Sequence, residues 1–125
     1  MNIEEFKTHC LSHPGAEETY PFGDQAVWFK VKGKAFAWTF VKEFKMDGEM
    51  RPPYHFVNLK CDPDQAISWR EQYVSVQPGW HQSKKHWNSV FTDNPPADFK
   101  GMISHAYEVV VAGLSKKLRA ELEGI

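Results

Sequence analysis

With 125 residues, the chain fits one domain and is too short to divide into two of ordinary size. Hydrophobic residues make up 42% of it and aromatic ones 14%, enough for a core that buries roughly two-thirds of the unfolded surface. A net charge of −1 excludes a whole-surface attraction to nucleic acid, and no stretch has the apolar length to cross a bilayer.

The N-terminal segment MNIEEFKTHC does not read as a signal peptide, so a cytoplasmic location with no membrane association is expected. Cys10 and Cys61 lie far apart, outside any C-x-x-C motif, and read as small buried hydrophobes, not as a disulfide.

In chain order, the first helix is predicted from Ile3 to about Ser12. Asn2 can cap it, Glu5 lies at the reciprocal capping position, and Ile3, Phe6 and Cys10 form an apolar stripe. His13-Pro14-Gly15 ends it, because the residue before proline avoids the helix and glycine turns readily. Ala26 to Val31 alternates as a strand, with Val27, Phe29 and Val31 on one face and Trp28, Lys30 and Lys32 on the other. Lys32-Gly33-Lys34 reads as a tight turn into a second strand marked by Phe36, Trp38 and Phe40. Residues 42–53, polar with Gly48, Pro52 and Pro53, read as the longest loop, and His55 to Lys60 as another strand.

Asp62-Pro63-Asp64-Gln65 starts a helix, with a capping Asp and proline at the first helical position, and this helix should end near Gln72. A short strand over Val74 to Gln77 precedes the Pro78-Gly79 turn, and Trp87 to Thr92 reads as the last strand. Phe99, Met102, Ile103, Ala106, Tyr107, Val110, Val111 and Leu114 then recur at three and four, opened by Pro95-Pro96 and closed by Gly113. Ser115 caps a terminal helix carrying Leu118 and Leu122. The order predicts an α+β domain, an antiparallel sheet with helices packed on one side.

Charge is unevenly spread. Val74 to Phe91 contains no acid but holds His81, Lys84, Lys85 and His86. Gln25 to Cys61 carries Lys30, Lys32, Lys34, Lys42, Lys45, Arg51 and Lys60 against Glu43, Asp47 and Glu49. The segment from Pro78 to Trp87 has the groups to grip phosphates and stack on bases; it reads equally as a solvated loop anchored by Trp80 and Trp87. His81 and His86, five apart on a loop, match no standard zinc spacing, and His9 and His13 lack a third ligand. No serine lies in a nucleophile elbow and there is no glycine-rich phosphate loop, so no catalytic residue and no cofactor are expected.

The chain resembles the MmcQ/YjbR-like family over nearly its whole length. The resemblance rests on Pro14-Gly15-Ala16-Glu17, Phe29-Lys30-Val31, Ala35-Phe36-Ala37 and Asn58-Leu59-Lys60 before the Asp62-capped helix. Its most specific part is Pro78-Gly79, then His81, then Lys85-His86-Trp87. The family often has Ser next to Tyr, whereas His105-Ala106 here separate Ser104 from Tyr107, so no role is carried over to Ser104. The resemblance implies a fold similar to the frataxin-like, CyaY-like architecture and a "double wing" arrangement described as DNA-binding; it supplies no catalytic residues.

The leading expectation is therefore a monomeric module that binds DNA. Lys30, Lys32 and Lys34 would form one basic wing, with Trp80, His81, Lys84, Lys85 and His86 as a second edge and Arg51 or Arg70 as additions. Binding would be mostly to phosphates, because arginine, suited to bidentate base reading, occurs only at Arg51, Arg70 and Arg119. A protein- or small-ligand-binding domain using the tryptophan-lined loop is the alternative. Iron handling is disfavoured, since the first helix offers only Glu4 and Glu5 before Lys7 and His9.

Overall fold

The computed structural model describes residues 1–124. Helix α1 (Ile3–Leu11) opens on Asn2, whose side chain accepts the Glu5 N–H while the Glu5 carboxylate accepts the Asn2 N–H, the reciprocal cap expected from the sequence. Strands β1 (Ala16–Thr19), β2 (Ala26–Val31) and β3 (Lys34–Phe40) follow, then a small hairpin of β4 (Phe44–Met46) and β5 (Glu49–Arg51). Strand β6 (Phe56–Lys60), helix α2 (Pro63–Gln72), strands β7 (Val76–Pro78) and β8 (Trp87–Phe91), and helices α3 (Phe99–Ala112) and α4 (Lys116–Glu123) complete the chain. The main sheet has the order β1-β2-β3-β6-β8-β7, and every pairing in it is antiparallel.

The helices lie on one face, as the pattern predicted. Phe6 and Cys10 of α1, the α3 stripe through Phe99, Met102, Ile103, Ala106, Tyr107 and Val110, and Leu122 of α4 pack on Val27, Phe29, Val57, Val76 and Val90. Asp62 caps α2 by accepting the Gln65 N–H at 3.2 Å. The opposite face carries a second cluster built from Ala26, Trp38, Phe44, Phe56 and Trp87, with Trp28, Phe40 and Trp80 against it.

Three features depart from the sequence reading. Residues 42–53 are not all loop: Asp47 (φ 53°) and Gly48 (φ 79°) make the two-residue turn of the β4–β5 hairpin, whose Phe44 inserts under Trp80. Strand β1 has no signal in the sequence, because Ala-Glu-Glu-Thr lacks apolar alternation and pairs at the sheet edge. Phe36, Trp38 and Phe40 do not share a face. The β2–β3 register slips by one residue between Phe29 and Lys30, so Phe36 joins Ala37 on the helix side while Trp38 and Phe40 turn to the other.

Helix α3 also fastens α2. The Nε2 of His105 accepts the Asp62 N–H at 3.2 Å, and its ring meets Trp69 edge-on at 5.1 Å. Burial holds His105 below its ordinary value, against the pull of Asp62 and Glu108. The unfolded chain therefore binds a proton more readily, so this contribution to stability is complete above a pH of about 6.5 and is lost as pH falls through the lower native value. His105→Leu should consequently lie furthest below wild type near neutrality, with the gap closing in denaturation series run toward pH 5; a constant gap would contradict the assignment.

Candidate functional site

On the face the helices leave uncovered, cross-strand register lines up Trp28, Trp38, Asn58, Ser89 and Gln77 across five strands. Trp28 and Trp38 stack with ring centroids 4.8 Å apart and planes at 10°. Phe40 meets Trp38 edge-on at 5.2 Å, and Phe22, 77% exposed, leans on Trp28 at 5.4 Å. Of these four rings Phe22 is largely exposed, Trp28 and Phe40 are half-buried and Trp38 is buried.

The chain returns over this face at Pro78-Gly79-Trp80-His81, and three hydrogen bonds fix it there. The Gly79 N–H donates to the Trp87 carbonyl at 3.0 Å. A Cβ on Gly79 would sit 2.7 Å from the Cβ of Trp87, so only glycine fits this approach. The Trp80 N–H donates to Ser89 Oγ, and Asn58 Nδ2 donates to the Trp80 carbonyl, both at 2.9 Å. Ser89 Oγ in turn donates to Asn58 Oδ1. Asn58 and Ser89 are thus buried polar residues whose side chains bond to each other and to one loop residue. His81 takes the left-handed backbone (φ 55°) and stacks on Trp80 at 3.8 Å, a conformation that persists only where its surroundings hold it.

Between this loop and the sheet lies a cavity of about 380 Å³ walled by Phe22, Trp28, Trp38, Phe40, Trp80 and His81. A second cavity, about 510 Å³, adjoins it at Trp28 and Gln82 and is lined by Lys34, Lys60 and Trp87 at the turn end of the sheet. No acidic residue lines either one. Lys60 also lies over the Trp87 ring, 5.4 Å from its centroid.

The candidate residues named from sequence divide into three groups. Trp80 and His81 line the aromatic cavity and Lys34 the basic one. Lys30 is half-buried on the same face as Trp28, opposite Glu17 in register, while Lys84 and Lys85 are exposed on the loop. Arg70 anchors that loop, its guanidinium donating to the Lys84 carbonyl at 2.8 Å and the Ala66 carbonyl at 3.1 Å. His86 is half-buried and bonded through its backbone to Cys61 and Ser83. Lys32 and Arg51 are engaged elsewhere, Lys32 with Glu121 at 2.7 Å and Arg51 with Glu49 at 3.2 Å. Phe22, Trp28, Trp38 and Lys60 escaped the sequence reading as site residues. Their grouping depends on strand register, for which a single alternating sequence offers no signal.

His9 of α1 and His13, just beyond its end, pack against α3. His13 Nε2 lies 2.9 Å from Ser104 Oγ and its Nδ1 3.2 Å from the Cys10 carbonyl, while His9 Nε2 is 3.1 Å from the Lys100 carbonyl. Both ring nitrogens of His13 are thereby taken up by the protein. Cys10 and Cys61 are free and buried, and burial pushes the Cys61 thiol up to about 12.

Sequence and structure comparisons agree with this organisation. The YjbR family model matches residues 11–109. The Escherichia coli protein YbdF is 33% identical over 116 residues, covering 91% of this chain and 88% of its own. The Escherichia coli protein YjbR is 32% identical over 121 residues, covering 95% of each. A Deinococcus radiodurans protein with domain DUF419 superimposes with a TM-score of 0.81 at 30% identity, over 98% of this chain and 88% of that one. A Pseudomonas syringae structure, with a TM-score of 0.67 and 18% identity over 87% of this chain and 98% of its own, shares the fold. The chain belongs to the YjbR family.

Proposed function

We propose that this protein is a nucleic-acid-binding module, not an enzyme, and that it takes the nucleic acid on the sheet face opposite the helices. One observation carries the reading: an open cavity lined mostly by aromatic residues adjoins a lysine-lined one, with no acid in the lining of either. Aromatic faces stack on bases of any sequence, and lysines neutralise phosphates, so the two together suit a polyanion that carries flat rings. Among the described residues, Lys30, Lys34, Lys60, Lys84 and Lys85 are in no ion pair, which leaves their charge available. The overall charge of −1 limits long-range attraction, so affinity should depend on this local patch and weaken steeply with salt.

The aromatic cavity also supports a second reading, a free planar ligand held without the phosphate chain. Fluorescence anisotropy of a labelled oligonucleotide across a salt series separates the two. The first reading expects binding at low salt whose logarithmic slope falls by about one for each lysine contact removed by Lys84→Glu/Lys85→Glu. Both lysines are exposed, so the fold should survive, with circular dichroism as the control. Absence of any binding at low salt would defeat the nucleic-acid reading.

A further inference from the structure

Resting on the nucleic-acid reading above, we propose that the preferred ligand is single-stranded, with one unpaired base entering the aromatic cavity between Trp28 and Trp80 and the neighbouring phosphate lying at Lys34 and Lys60. The cavity volume of about 380 Å³ is within the range that holds a small ligand, and its lining is mostly aromatic. A paired base cannot enter it, because in a duplex both faces of each base are already stacked. Only a base freed from its partner offers the face that Trp28, Phe40 and Trp80 would contact.

The arginines argue in the same direction. Reading a duplex in its major groove relies above all on arginine forks. Arg70 spends its guanidinium on two backbone carbonyls and Arg51 lies against Glu49; among the described residues Arg119, on α4, is the arginine without such a tie.

Charge fixes the direction of the strand relative to the cavities. The aromatic cavity contains no charged lysine or arginine, whereas the adjoining one has Lys34 and Lys60. The C-terminal end of α3 at Gly113 opposes them, but its dipole amounts to about half a negative charge against two full positive ones. The net field there favours phosphate.

The test compares a labelled oligothymidylate of about a dozen nucleotides, within the span of known single-strand sites, with a duplex of equal length at low salt. The single strand should bind at least about tenfold more tightly. Phe22→Ala removes an exposed wall of the cavity without touching the core and should weaken single-strand binding about tenfold while leaving the duplex unchanged. Lys34→Gln, also at an exposed position, should weaken it less and lower the salt slope. Duplex binding equal to or tighter than single-strand binding would overturn this inference and leave the broader nucleic-acid reading standing, as would a Phe22→Ala protein that binds the single strand like wild type. Failure of both ligands to bind would overturn the two together.

Discussion

Ile103→Asp is expected to unfold the protein at temperatures where the wild type is folded. Ile103 is fully buried at the centre of the α3 stripe, among residues from both the sheet and α1. The substitution removes a large aliphatic side chain, worth about 2–5 kcal/mol in a packed core, and places an unpaired carboxylate where water does not reach. A domain of this size has about 5–15 kcal/mol in total, so the loss is a large fraction of the whole. Urea denaturation would show the midpoint displaced far below wild type; a midpoint within error would contradict the packing of α3 on the sheet.

Asn58→Leu should cost about 2–4 kcal/mol, a size that its similar volume alone would not suggest. Asn58 is fully buried, and it donates to the Trp80 carbonyl while accepting the Ser89 hydroxyl. Leucine leaves both groups without a partner in a part-buried setting, and the cost of orphaned groups exceeds the gain from added apolar surface. The effect should be local as well as global. Trp80 would lose one of the two backbone ties that hold it over the sheet, so its fluorescence should become more accessible to acrylamide even under conditions where the variant remains folded. Unchanged quenching would mean that the Ser89 bond and the Gly79–Trp87 approach suffice.

Local signals made much of this fold legible. The Asn2/Glu5 cap, the Asp62-Pro63 start of α2 and the three-four spacing of α3 each depend on residues close in sequence, and each appears where expected. The Lys32-Gly33 turn follows the same logic, with both residues at positive φ. The β4–β5 hairpin was readable in principle from Asp47-Gly48, but the surrounding charge and prolines obscured it. The Phe36 bulge was not, since it separates the face of Phe36 from that of Trp38 and Phe40 without altering the alternation in the sequence. That slip shapes the site: Trp38 pairs with Trp28 and Asn58 on the site face, and the bulge sends Phe36 to the helix side instead of alternating onto that face. The ion pair between Lys32 and Glu121 joins residues 89 apart in sequence, so it too lies beyond local pattern reading, and it removes one of the three hairpin lysines from the unpaired set.

The central claim, that nucleic acid is bound on the aromatic sheet face, can be tested most directly with the five tryptophans as reporters. Trp28, Trp38, Trp80 and Trp87 line that face and its two cavities, whereas Trp69 packs on His105 and the helix-side core. Titration of the isotopically labelled protein with a short oligonucleotide, followed through the indole Nε1–H resonances, should move Trp28, Trp38 and Trp80 most, Trp87 less, and Trp69 not at all. Shifts confined to Trp69, or an oligonucleotide that binds while all five indole signals stay still, would place the interface elsewhere and contradict the account.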